Sequence, residues 1–119
     1  MTVIINSYFT PYRILVRKKE PVQLTVEITN RDDIERLMSL EILSSQQLAF
    51  DKTGASRKIV EKLGELRPNE KRVYYYHVWP RLVSREGYYP LVIRALTHHL
   101  NYDYITAIYT KRLELRAEV

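Results

Sequence analysis

Between Val22 and Thr29 the residues alternate without a break: Val22, Leu24, Val26 and Ile28 fall on one side, Gln23, Thr25, Glu27 and Thr29 on the other. Successive side chains of a strand point to opposite faces, so a period of two commits this segment to a half-buried β-strand rather than a helix. The same period returns between Leu66 and Ala95. After a Pro68-Asn69-Glu70 turn, Tyr74, Tyr76 and Val78 take every second place up to Trp79-Pro80. Beyond Gly87, Tyr89, Leu91, Ile93 and Ala95 do so again. Proline has no amide to give a ladder, which places Pro68, Pro80 and Pro90 at strand ends or on exposed edges.

The other elements follow from the same rule. Ile14 and Val16, with Tyr12 on their face, predict an edge strand; Pro11 separates it from Val3 to Tyr8, which is free to pair elsewhere. Thr29 to Asp33 is a turn, because Asn and Asp bond their own backbone. Met38, Leu40 and Ile42 predict a strand from near Leu37, against a short helix capped by Asp32 or Asp33. Asp51 to Gly54 is a turn or hairpin tip, and Ser56 to Leu63 is a strand or one or two helical turns. Thr97 to Tyr104 reads as a polar loop, and Ile105 to Glu118 as a last strand long enough to need a bulge or bend. About seven strands at intervals of roughly a dozen residues, with no long helix, predict an all-β, two-sheet antiparallel sandwich with Greek-key connections. Residues 1–119 are expected to form it as one domain, since a chain of this length buries a core without disulfides or metal.

The absence of cysteine excludes a disulfide framework, a thiolate metal site and a cysteine nucleophile, and it fits a reducing compartment. No apolar run approaches the ~18 residues of a membrane span, and the first residues lack the pattern of a signal peptide. A cytoplasmic location is expected, although a domain of a secreted or surface protein would look the same. The net charge of +5 is spread over both halves of the chain rather than gathered in a tail. High charge with few Asn and Gln has a thermophile flavour.

Leu66, Pro68 and Glu70, then Tyr74, Tyr76, Val78 and Pro80, then Gly87, Tyr89, Leu91 and Ile93 make a pattern. It resembles the bacterial and archaeal immunoglobulin-like modules called cell-adhesion-related domains. The strand Val22–Ile28 with Thr29-Asn30 behind it is similar to that family's second strand. The resemblance implies an immunoglobulin-like sandwich and says little about function. One departure is Asn69, where the family usually has Gly; Asn also tolerates the left-handed dihedral the turn needs. The resemblance further implies that the Tyr89 hydroxyl bonds back to nearby backbone.

Candidate chemistry is sparse. His98 and His99 with Asp103 invite a metal reading, but neighbours on a strand face opposite ways, so surface histidines are the simpler account. Asp32, Asp33 and Glu35 lack the spacing of a calcium loop. Three glycines make no phosphate loop of the Gly-rich kinds, and no Ser or Thr sits with a His in a nucleophile motif, so neither a cofactor nor catalysis is expected.

Ten tyrosines are the unusual count. Val73, Tyr75, His77 and Trp79 form a row facing away from Tyr74 and Tyr76, too apolar for a simply wetted face. It is either covered within the chain or an interface. Ile105, Ile108 and Tyr109 lie in ITAIY, a run without charge that suits a pairing edge. Two functions therefore stand side by side. One is a non-catalytic interaction or assembly module that binds a protein partner, or itself, through those residues. The alternative is a nucleic-acid binder in which exposed tyrosines work with Arg72, Arg81, Arg85 and Arg94. Chelation is expected to leave the melting temperature unchanged; a fall of several degrees that one metal reverses would direct attention to His98, His99 and Asp103.

Overall fold

A computed structural model describes residues 3–81 and 85–119. Among these, nine strands follow one another: β1 (Val3–Thr10), β2 (Arg13–Leu15), β3 (Val22–Asn30), β4 (Arg36–Ser44), β5 (Leu48–Ala49), β6 (Lys58–Leu66), β7 (Lys71–Pro80), β8 (Gly87–His99) and β9 (Asn101–Glu118). They form one sheet in the order β1-β3-β7-β5 and a second in the order β2-β9-β8-β4-β6. Every ladder is antiparallel except the short one between β2 and the end of β9, which is parallel. Only β8 and β9 are both consecutive and paired, so every other connection crosses from sheet to sheet or passes over an intervening strand. This is an all-β sandwich of the immunoglobulin-like kind.

Register explains the core. Leu24 lies opposite Tyr76, Val26 opposite Tyr74 and Val22 opposite Val78. In the facing sheet Leu40 lies opposite Ala95 and Ile42 opposite Ile93. Leu24, Val26, Ile28, Val78, Leu91 and Ile93 are buried between the sheets, as the alternation requires. Tyr76 packs against them half-buried with its hydroxyl enclosed. Burial lifts that phenol well above the usual tyrosine range, and the nearby Glu61 carboxylate pushes the same way.

Both joints implied by the family pattern are present. Asn69 takes φ 64°, the left-handed turn in which Asn stands for Gly. The Tyr89 hydroxyl accepts from Arg85 N (2.8 Å) and donates to Arg85 O. At the other end of the sandwich, Asn30 is fully buried. Its Nδ2 donates to Leu66 O (2.9 Å) and Ile34 O (3.0 Å), while Oδ1 accepts from Asp32 N (2.9 Å).

Several expectations need correction. The strands number nine rather than about seven: β1 and β2 on either side of Pro11 are separate strands of different sheets, and β5, at two residues, is too short to show a period of two in sequence. Ser56 to Leu63 holds no helical turn. From Lys58 it belongs to β6, where Gly64 at φ 76° sits beside a register shift against Met38/Ser39. Thr97 to Tyr104 is not a loop, since β8 runs to His99, Leu100 turns the chain at φ 70°, and β9 starts at Asn101. The 18 residues of β9 would span about 56 Å if straight. The longest axis of the molecule is 47 Å, so the strand bends. Irregular pairing at Thr97/His98 and His98/His99 marks the place.

Truncating Val26 or Leu91 to Ala should cost about 2–4 kcal/mol in a denaturant titration, because each leaves a cavity in the shared core. A loss below about 0.5 kcal/mol at both would mean that these faces do not carry the fold.

Candidate functional site

On the outer face of the first sheet, register sets Tyr75 opposite Thr25, and Thr25 opposite Tyr8. The two tyrosines are 63% and 52% exposed, while Thr25 between them is 1% exposed. A threonine is thus roofed by two rings in an open aromatic band. Val73 and His77 flank Tyr75 and are exposed, so no described part of the chain covers the row. Sequence reasoning missed Tyr8. Its alternation with Ile4 and Asn6 was the available signal, but only pairing shows which row it joins. Trp79 stands apart from the row: it is half-buried and pairs with Ala49 of β5.

The second candidate is a strand edge. Beyond β2, which covers only Arg116–Glu118, β9 has no second ladder among the described residues. Val16 N donates to Glu118 O (2.9 Å), so even-numbered residues of β9 turn their amides to that side. Its pairing with β8 is regular from Ala107 to Ala117. The N–H and C=O of Ile108, Thr110, Arg112 and Glu114 therefore point along the open edge. Ile105 and Ile108 are exposed on the outer face. Tyr109 points inward against the core, which corrects its place in the expected surface. It lines a groove of about 460 Å³ between β9 and β1, with Ile4, Ile5 and Lys111.

The four candidate arginines do not converge. Arg72 donates Nη1 to Leu63 O, Nη2 to Glu65 O (3.0 Å) and Nε to Glu70 (3.0 Å), which seals the seam between β6 and β7. Arg94 lies on the outer face of the second sheet, 3.9 Å from Glu41. The backbone of Arg85 is held by Tyr89. Arg81, beside Trp79, donates to Gln46 O (2.9 Å).

Among the described residues no three His, Asp or Glu side chains gather as a cation site. Asp32 pairs with Arg36 at 2.6 Å. His98 is buried and His99 exposed, on opposite sides of β8. The structure does bring His98 to a serine 59 positions away, with Nε2 2.7 Å from Ser39 Oγ. Tyr102 meets the imidazole edge-on and its hydroxyl accepts from Gly64 N (3.0 Å). It is a diagonal pair of the β4–β8 ladder, with Leu37 opposite His98 and Ser39 opposite Leu96, so only the register of two strands distant in sequence reveals it. A nucleophilic serine needs access and a base oriented by a third group. Here both residues are buried and His98 Nδ1 has no hydrogen-bond partner. The pair has the character of a structural hydrogen bond.

Comparison with solved structures places the fold. Escherichia coli alpha-2-macroglobulin, from domain MG7 to the C-terminus, matches at a TM-score of 0.72 and 16% identity, covering 98% of this chain and 16% of that one. AvmM, which catalyzes macrocyclization in alchivemycin A biosynthesis, matches at 0.65 and 11% identity, covering 98% and 88%. The CARDB domain of a Pyrococcus furiosus protein, in complex with di-metal ions, matches at 0.58 and 15% identity, covering 98% and 86%. At these identities the likeness is one of fold, an immunoglobulin-like β-sandwich shared by macroglobulin and CARDB domains. No family model matches the sequence, and no curated protein does.

Ser39→Ala should destabilise by about 1–3 kcal/mol in urea, because His98 is left buried without a partner. Adding His98→Leu should recover part of the loss; additive costs would show that the hydrogen bond carries no weight.

Proposed function

We propose that this chain is a non-catalytic interaction module that takes an extended protein segment, from a partner or a second copy, onto the open edge of β9. The observation that carries this reading is the run of unpaired backbone groups at Ile108, Thr110, Arg112 and Glu114, next to the uncharged ITAIY segment. Unpaired edges template strand addition, and natural proteins blunt those that must stay free. The β6–β7 seam is blunted by Arg72. At the β1–β9 seam Lys111 reaches across, to Ile5 O at 3.4 Å. The Tyr8–Tyr75 band supplies a second surface suited to protein contact. A non-enzymatic role is supported by the buried Ser39–His98 pair; the fold's neighbours include macroglobulin and CARDB domains as well as the catalyst AvmM.

Thr110→Pro removes an edge-facing donor while leaving the β8–β9 ladder its bonds. It should abolish association seen by sedimentation, with the circular dichroism unchanged. Ile108→Lys should do the same by placing charge on the edge. In the wild type, amides 108, 110, 112 and 114 should exchange slowly when associated and fast on dilution. Loss of association in Tyr75→Lys alone would move the interface to the aromatic band. Retention of single-stranded nucleic acid that falls steeply with salt, without self-association or a protein partner, would replace this reading with nucleic-acid binding.

A further inference from the structure

A pocket of about 390 Å³ opens where β5 meets the end of β7, lined by Lys19, Lys52, Thr53, Gly54, Trp79, Pro80 and Arg81. Its construction follows from local chemistry. Leu48 and Ala49 pair with Pro80 and Trp79, which carries the following turn to the side of the indole. Gly54 closes that turn at φ 82° and donates to Asp51 O (3.2 Å). The Arg81 side chain packs against it, and a Cβ on Gly54 would lie 3.5 Å from Arg81 Nε. Arg81 is fastened from behind: its N donates to Gln47 O (3.0 Å) and Nη1 to Gln46 O (2.9 Å). Lys19 arrives from the turn after β2, itself at φ 52°.

The charge of this pocket is one-sided. Among the described residues three cations line it and no carboxylate does. Asp51, which precedes Lys52, is turned to its own loop: Oδ2 accepts from Thr53 Oγ1 and Oδ1 from Ser56 N (2.9 Å). These bonds hold the Asp51 carboxyl below its usual range. Neither Lys19 nor Lys52 has a salt-bridge partner among the described residues. The same lining includes apolar surface, Trp79 with Pro80. Like charges held together around an aromatic wall are stabilised by a ligand that neutralises them and covers the ring.

We propose that this pocket binds a nucleoside phosphate, the base on Trp79 and the phosphates on Lys19, Lys52 and Arg81. Two features select that class. Several cations match a group of several negative charges better than a single carboxylate. The indole offers a planar face, and the volume lies within the roughly 300–1,000 Å³ of small-molecule sites. The pocket shares no residue with the β9 edge, so this site and the edge stand or fall separately.

Trp79 is the chain's only tryptophan, so intrinsic fluorescence reports directly on the pocket. Titration of the full chain with ATP should quench and saturate, weakening severalfold between about 50 and 200 mM salt. Adenosine and inorganic pyrophosphate should each bind at least about tenfold more weakly. Lys19→Glu and Lys52→Glu, both at exposed positions, should each weaken ATP by about tenfold while the melting temperature holds. Calorimetry with Trp79→Leu should show a comparable loss for ATP and none for pyrophosphate. The proposal is overturned by no saturable quench at millimolar ATP, or by pyrophosphate binding as well as ATP. It is equally overturned if an oligonucleotide binds far more tightly than ATP and ignores both lysine reversals.

Discussion

The two sheets are registered to each other at one end by a single buried amide. Asn30 closes β3, and its side chain satisfies Leu66 O at the end of β6, Ile34 O before β4, and Asp32 N in the turn. Its backbone completes the joint, donating to Glu70 O (3.0 Å) and accepting from Asn69 N (2.6 Å). Five hydrogen bonds thus converge on one residue whose polar groups are all paired. An uncompensated loss here would leave buried donors and acceptors from both sheets, so apolar replacements cannot stand in for it. The opposite corner is held more locally, by Tyr89 on the backbone of Arg85.

With the sheets so fixed, their edges decide what the molecule can meet. Inward-facing charge is one way to guard an edge. Pairing puts Glu61 in one inner row with Leu40, Ala95 and Tyr109, and Lys111 in another with Ile93, Ile42 and Ile59. Each outer strand of the second sheet therefore carries one such residue. On the β6 side Arg72 adds a guanidinium across the carbonyls. On the β9 side no guanidinium among the described residues is laid across the carbonyls of Ile108 to Glu114, and that asymmetry separates a sealed seam from an open one.

Much of the architecture was legible in the chain itself. The alternation at Val22–Ile28, Tyr74–Val78 and Tyr89–Ala95 named the strands and the buried face correctly, because the period of two is a local property of extended backbone. Asn69 at a left-handed turn and the bond from Tyr89 were also foreseen, since each depends on residues close in sequence. Only the tip of the β8–β9 hairpin, Thr97 to Tyr104, reads in sequence as a loop. Its residues THHLNYDY are polar, yet they pair: Thr97 and His98 are buried with hydrogen-bonded side chains, while His99 to Asn101 form the exposed turn.

Sequence alone determined the all-β class, the inner faces and the lack of any cysteine chemistry. Tertiary structure decided which residues meet across sheets. It spent Arg72 on a seam and scattered the other arginines, turned Tyr109 inward, joined Ser39 to His98, and gathered Lys19, Lys52 and Arg81 around Trp79. The reason is physical. Alternation is set by the geometry of one strand, whereas strand order, register and the crossing of chains between sheets arise from the free energy of the whole core, which no local pattern encodes.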